Sequence, residues 1–261
     1  NILSRMLVPQ NMTKRTKIIC TIGPSTEDFN SIKKLYEAGM NVARLNMSHC
    51  DHKTAKKIIS RIKKLNGQIE HPVGILLDTQ GPEIRTGDTS QVVDLEPGQL
   101  VSFTIRDEID VETTSIRVNY DELIESVKVG TLITLDNGLL NFKVLKKTEN
   151  ELECRVLDGG KLGSKRHVNL PGIRINLPSI TEKDKVDISF GLKQDVDFIA
   201  LSFVRDLSDI SDLERLIKRQ RKKVKIISKI EDREGLSNIS DICSASDAVM
   251  VARGDLGIET D

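Results

Sequence analysis

Lys17-Ile-Ile-Cys-Thr-Ile22, Ser31-Ile-Lys-Lys-Leu-Tyr-Glu-Ala-Gly39 and Asn41-Val-Ala-Arg-Leu-Asn46 follow one another in a single stretch. The first and third are short apolar runs rich in β-branched residues. The second sets Ile32, Leu35 and Tyr36 on one helical face, with Gly39 supplying a left-handed stop. Strand, helix, strand is the rhythm from which the fold is read. It continues between Asp51 and Leu65, where Ile58, Ile59, Ile62 and Leu65 recur at helical spacing and Lys56, Lys57, Lys63 and Lys64 make the solvated face. Val73-Gly-Ile-Leu-Leu-Asp78 then reads as a third buried strand.

After Asp78 the period changes. From about Gly87 to Lys183 the runs Val101/Phe103/Ile105, Leu140/Phe142/Val144 and Leu152/Cys154/Val156 alternate, broken by Pro97-Gly98, Asn137-Gly138 and Asp158-Gly159-Gly160. This is an inserted all-β module. Thr181-Glu-Lys-Asp184 reads as a helix cap, and the earlier rhythm resumes. Phe198-Ile-Ala-Leu-Ser-Phe203 is strand four, a helix runs through Ile210, Leu213, Leu216 and Ile217, Val224-Lys-Ile-Ile-Ser228 is strand five, and Ala248-Val-Met-Val251 is strand six. Continuous apolar strands separated by amphipathic helices imply a parallel sheet with helical crossovers. Two architectures remain open: a doubly wound sheet of six strands, or a (β/α)8 barrel that is two units short at Asp261.

The 261 residues carry 39 basic and 39 acidic side chains, so there is no overall field to hold a nucleic acid or an anionic membrane. The longest apolar runs are about five residues, against roughly 20 for a membrane-spanning helix. Asn1 to Val8 lack both an initiator Met and a signal peptide's apolar stretch, so a trimmed N-terminus is expected. Cys20, Cys50, Cys154 and Cys243 are far apart, without C-x-x-C spacing, and are expected to be reduced, buried structural thiols of a cytoplasmic protein. His52, His71 and His167 show no metal-ligand spacing, and there is no Walker A or dinucleotide glycine fingerprint.

Parallel α/β folds gather ligands at the carboxyl ends of their strands. Here those ends read Arg44-Leu-Asn46-Met-Ser48-His49, Asp78-Thr79-Gln80-Gly81-Pro82-Glu83-Ile84-Arg85, Lys229-Ile230-Glu231 and Arg253-Gly254-Asp255. Lys229 and Glu231 are two apart on an extended segment and point the same way. Glu231 and Asp255 offer two hard oxygens to a Mg²⁺-like cation, and Arg44, Arg85 and Lys229 offer charge to phosphate oxygens. Asn46, Ser48, Asp78 and Thr79 form an oxygen-rich set with one full negative charge, better matched to a monovalent cation. A purely structural ion-pair network is the alternative for these charges.

Six motifs, in order, resemble the pyruvate kinase family: Thr16 to Pro24, Asn41 to His49, Asp78 to Gly87, Val168-Asn-Leu-Pro-Gly172, Ile227 to Glu231 and Val251 to Gly257. The resemblance implies a (β/α)8 TIM-type barrel, here truncated after about six strands, with a mobile β lid inserted after the third strand. The barrel domain is residues 1–88 and 178–261, and the lid 89–177. It implies phosphoryl transfer from phosphoenolpyruvate to ADP, giving pyruvate and ATP in glycolysis, with Mg²⁺ (or Mn²⁺) and K⁺, in a homotetrameric full-length protein. By the same resemblance Glu231 and Asp255 bind Mg²⁺, and Lys229 stabilises the transferring group. Arg44 holds phosphate, and Asn46, Ser48, Asp78 and Thr79 bind K⁺. Arg85, His49, Lys165 and Asn46 contact the nucleotide. Backbone N–H groups at Gly254 and Asp255 take the substrate carboxylate, and Asp136 is the lid residue that meets the site. Glu83 goes with K⁺ dependence in this family. Cys50, Gln80, Asn137 and Asp232 depart from the usual residues without removing a metal or phosphate ligand. With two barrel units missing, this chain alone is expected to turn over poorly or not at all. A metal-dependent carbon–carbon lyase of the phosphoenolpyruvate/pyruvate barrel superfamily, or a non-catalytic binding fragment, is the competing reading.

Overall fold

The computed structural model describes residues 15–259 except 90, 106–113, 137 and 174. Asn137 and the segment Asn1 to Val8 therefore lie outside the described residues. The chain opens with β1 (Ile18–Thr21), α1 (Phe29–Glu37), β2 (Met40–Asn46), α2 (His52–Asn66) and β3 (Gly74–Asp78). Asp28 caps α1 by accepting from the N–H groups of Asn30 and Ser31, and Asp51 caps α2 through Thr54. Gly39, at φ +108°, supplies the left-handed residue after α1.

The β module follows: β4 (Val93–Leu95), β5 (Leu100–Thr104), β6 (Thr114–Arg117), α3 (Leu123–Ser126), β7 (Leu132–Leu135), β8 (Leu140–Lys147), β9 (Glu151–Asp158), β10 (Gly160–Leu162) and β11 (Val168–Asn169). Its main sheet runs β11-β7-β8-β9-β5-β6, antiparallel except at the β5–β6 edge, and β4 pairs with β10. The inward residues of the alternating runs make a core of their own, in which Phe103 meets Phe142 edge to face with centroids 5.1 Å apart.

The chain then completes α4 (Glu182–Lys193), β12 (Phe198–Leu201), α5 (Leu207–Arg219), β13 (Lys225–Ile230), α6 (Arg233–Ser237), α7 (Ile239–Ala245), β14 (Ala248–Val251) and α8 (Arg253–Glu259). The second sheet is parallel throughout, in the order β1-β2-β3-β12-β13-β14. Strands appear in chain order with no reversal. A doubly wound sheet reverses order at a switch point, so this is the winding of a (β/α)8-type barrel.

Strand parity divides that sheet into two faces. Ala43, Leu45, Ile75, Leu77, Ile199 and Leu201 face the helices and join the large core. Val42, Leu76, Phe198, Ala200, Ile227 and Met250 form a smaller cluster on the inner face. Arg44 and Asn46 follow Val42 by two and four residues, Asp78 follows Leu76 by two, and Lys229 follows Ile227 by two. All four are thereby on the inner face at its carboxyl end.

The expectation for the cysteines needs correction. Only Cys154 is buried; Cys20 and Cys50 are half-buried and Cys243 is exposed. In α7 the buried residue is Ile242, and the next residue is turned about 100° away from it, toward solvent.

The loop after β3 packs tightly on the loop after β12. Gly81 has φ +76°, and a Cβ there would stand 2.7 Å from Ser202 Cβ and 3.0 Å from the Phe203 ring. We expect Gly81→Ala to cost about 1–3 kcal/mol through strain and overpacking. Denaturant unfolding of the full-length protein measures this, and an unchanged midpoint would reject that account of the loop.

Candidate active site

Asp78 ends β3, and its side chain is completely buried against two cations. Arg44 Nε donates to Oδ2 at 2.6 Å, Arg44 Nη2 lies 2.5 Å from the same oxygen, and Lys229 Nζ is 3.2 Å from Oδ1. β2, β3 and β13 thus meet at one carboxylate, and Arg44 Nη1, donating to Thr21 Oγ1 at 2.8 Å, extends the network to β1. Lys229 Nζ also lies 3.1 Å from Glu231 Oε1 and donates to Ser202 Oγ at 2.7 Å. Burial alone would push the Lys229 ammonium down; Glu231 and Asp78 together outweigh it and hold the group above its ordinary value.

Glu231 follows β13 and is almost as deeply buried. Burial pushes its carboxyl up to about 7 against the opposing pull of Lys229, with Asp255 adding like-charge repulsion. Oε2 accepts from the Phe203 N–H at 2.7 Å. Phe203 holds φ +52°, a left-handed conformation rarely adopted by a bulky residue, and that geometry aims its N–H at the carboxylate.

Above these groups is a cleft of about 280 Å³ lined by Arg44, Asn46, Ser48, His49, Thr79, Gln80, Glu83, Phe203, Lys229, Glu231 and, from the end of β14 into α8, Met250, Ala252, Arg253, Gly254 and Asp255. Nearly all the barrel residues singled out in the sequence thus share one wall or floor, with Asp78 directly beneath. Arg85, Lys165 and Asp136 are not in the cleft wall. The Arg85 guanidinium is 2.5 Å from Glu83 and donates to the Lys165 carbonyl at 2.8 Å. Lys165 Nζ is 3.3 Å from Asp88, and Asp136 pairs with Arg166 at 3.2 Å.

Three residues that contact the groups of this cleft were given no role in the sequence reading. Ser202 locks the floor: its N–H donates to Thr79 Oγ1 at 3.0 Å and its hydroxyl to the Thr79 carbonyl at 2.7 Å. Phe203 is the second. His167 is the third; its Nδ1 is 3.5 Å from Asp255 Oδ1, and burial lowers its pKa against the pull of Asp255. Ser202 was available as the lone hydroxyl in the apolar run from Phe198 to Phe203, and His167 as the residue just before the Val168 to Gly172 motif. Metal-ligand spacing was the wrong filter for that histidine.

The barrel-domain model of pyruvate kinase matches residues 13–261. The chain belongs to the pyruvate kinase family. Among curated pyruvate kinases it is 47% identical over 248 residues to plastidial pyruvate kinase 2 of Arabidopsis thaliana, 46% over 250 to the chloroplastic isozyme G of Nicotiana tabacum, and 46% over 250 to the enzyme of Staphylococcus haemolyticus. These alignments cover 94–95% of this chain but only 42–44% of the relatives, so the chain spans less than half of the pyruvate kinases it matches. Plastid and bacterial proteins both stand among them, which leaves the compartment open. Among the described residues no helix is long and apolar enough to cross a membrane.

The raised Glu231 carboxyl has a consequence for stability. Its folded pKa exceeds the unfolded value near 4.5, so the folded state binds more protons between those values and loses stability as pH rises from about 4.5 through about 7. We expect Glu231→Gln to remove that loss. In metal-free buffer the variant's melting point relative to wild type should be higher at pH 8 than at pH 5; an identical difference at both would contradict the burial account.

Proposed function

We propose that the protein carrying this chain transfers the phosphoryl group of phosphoenolpyruvate to ADP, forming pyruvate and ATP in glycolysis. The carrying observation is the Lys229 ammonium, buried between Asp78 and Glu231 at the floor of a cleft that Arg44 and Asp255 also line. Phosphoryl transfer asks for little covalent help and much positioned positive charge. Lys229 supplies it in a place that is nearly dry, where an ammonium stabilises developing charge far better than in water. Arg44, pinned by Asp78 and Thr21, holds the phosphate oxygens without having to be ordered at the moment of reaction. The N–H groups of Gly254 and Asp255 take the carboxylate of the substrate. Arg85, His49, Asn46 and Lys165 take the nucleotide, and the module 89–177, with Asp136, serves as the lid over a barrel domain of 1–88 and 178–261. Assembly as a homotetramer rests on the family resemblance, and a cytoplasmic location on four widely spaced cysteines without a secretory context.

The residues fit the two cations of this reading. Glu231 and Asp255 are two carboxylates on one cleft wall, the number of protein ligands Mg²⁺ commonly accepts while keeping places for substrate and water. When bound, Mg²⁺ or Mn²⁺ would neutralise charge on the transferring oxygens. Asp78 Oδ1 is buried and makes no hydrogen bond beyond its 3.2 Å ion pair with Lys229 Nζ, and the oxygen-bearing side chains of Asn46, Ser48 and Thr79 line the cleft above it. That donor set suits K⁺, and Glu83 on the same wall favours a K⁺ requirement.

The test is pyruvate formation by the full-length protein with phosphoenolpyruvate, ADP, Mg²⁺ and K⁺. Lys229→Met should lower turnover by about 10²-fold or more. Turnover without nucleotide would instead indicate carbon–carbon lyase chemistry. Omitting K⁺ should also cut the rate strongly, and an undiminished rate in buffer free of Na⁺ and K⁺ would reject the monovalent site.

A further inference from the structure

Lys183 belongs to the motif Thr181-Glu-Lys-Asp184 that opens α4, and nothing above gives it a task. Its ammonium donates to the Met47 carbonyl at 2.8 Å and to Asp187 Oδ2 at 2.7 Å. Asp187 Oδ1 lies 2.6 Å from His52 Nε2, and the His52 ring stacks on Phe190, centroids 4.4 Å apart and 8° from parallel. Exposed i,i+4 pairs contribute little. Lys183 is itself 48% exposed, but both of its partners are buried: the Asp187 carboxylate is only 5% exposed and the carbonyl belongs to Met47, 1% exposed.

Met47 stands between two proposed K⁺ donors, Asn46 and Ser48. Its N–H donates to the Asp78 carbonyl at 3.0 Å, so the residue is tied to β3 on one side and to α4 on the other. The turn is closed by Ser48 N–H to Asn46 Oδ1 at 3.1 Å and His49 N–H to the Asn46 carbonyl at 3.2 Å. The next residue of α4 does the matching work on the neighbouring loop: Asp184, fully buried, accepts from the N–H groups of Gln80 and Gly81 at 3.0 and 3.1 Å. Two consecutive residues of one helical turn therefore grip the loops after β2 and β3, whose strand ends carry the oxygen set.

We infer that Lys183, held by Asp187 and the stacked His52, is a positioning residue that fixes the Asn46–Ser48 turn at the spacing a monovalent cation requires. The inference rests on the proposed function for the identity of that cation. Lys183 touches neither substrate nor cation; removing it frees the turn, and cation affinity falls while the phosphoryl-transfer groups stay in place.

The experiment uses the full-length protein as wild type, Lys183→Gln, Lys183→Arg and His52→Ala. Thallous ion binding is followed by thallium magnetic resonance, alongside the melting point and the K⁺ concentration for half-maximal pyruvate formation. Lys183→Gln should weaken thallous binding and raise half-activating K⁺ by about tenfold, as loss of an outer-shell partner does, with turnover at saturating K⁺ within about twofold of wild type. Lys183→Arg should restore both values. Should Lys183→Gln melt early, His52→Ala, which leaves the ammonium in place and loosens its support, must weaken thallous binding in the same direction. Unchanged thallous affinity in both variants overturns the inference. A wild type that forms pyruvate yet binds no thallous ion overturns it too, and leaves the kinase reading standing. Weakened thallous binding in Lys183→Gln of a wild type that forms no pyruvate supports the inference and rejects the kinase reading.

Discussion

One buried carboxylate organises the inner face of this sheet. Asp78 carries a full charge with no exposure, and such a charge is tolerated only when paired and hydrogen-bonded. Arg44 on one side and Lys229 on the other supply the pairing, from β2, which flanks β3, and from β13, two strands away on the opposite side. Breaking such a pair from one side strands the other charge in a dry place, which typically costs about 3–5 kcal/mol. The consequence is rigidity where it serves the site: Arg44 and Lys229 cannot leave their posts without exposing the cost of Asp78.

The same group ties stability to chemistry in opposite directions. Lys229 is stabilised in its charged form by Asp78 and Glu231, while Glu231 is driven toward its neutral form by burial and by Asp255. A scaffold selected for stability alone would relieve Glu231 with solvent or an apolar substitute. Keeping a reluctant carboxylate where Asp255 repels it is consistent with the divalent site proposed for the pair. The strained Phe203 backbone belongs to the same arrangement, since its N–H satisfies the carboxylate oxygen that Lys229 does not reach.

Much of this was legible in the residues. Period two in the strands fixed which side chains share the inner face, so Arg44, Asp78 and Lys229 could be set on one rim before any geometry was known. Apolar periodicity, with Gly39 as the stop after the first, located α1 and α2 to within a residue or two. Strand periodicity alone left the winding open, because six strand signals serve a doubly wound sheet as well as a barrel; the six family-like motifs pointed to the barrel, and the neighbour order agrees with them. Contacts such as Lys183 with Met47 and His167 with Asp255 span long chain separations and have no local signature. Phe203 shows no glycine at its left-handed position, and Cys243 turned outward because α7 is short and buries one residue. A thiol's usual burial is a weak guide on such a helix.

The insertion point of the β module follows from these constraints. Its outgoing arm leaves directly from the Gln80–Arg85 loop, and its return delivers the chain to Thr181, whose hydroxyl and N–H are bound by Asp184. Asp184 simultaneously holds Gln80 and Gly81, so the two ends of an excursion of nearly a hundred residues are fastened to one buried carboxylate. Arg205 adds a second tie, donating to the carbonyls of Ile175 and Leu177 on the returning arm. Closing a long loop costs only slowly growing entropy, whereas misplacing its ends by an ångström would disturb Thr79 and the floor of the cleft. The roots of the module are therefore pinned by the same helical turn that orders the loops after β2 and β3. Here α4 provides that turn, and the capping box read in the sequence as a helix start is the anchor for both the insertion and the site.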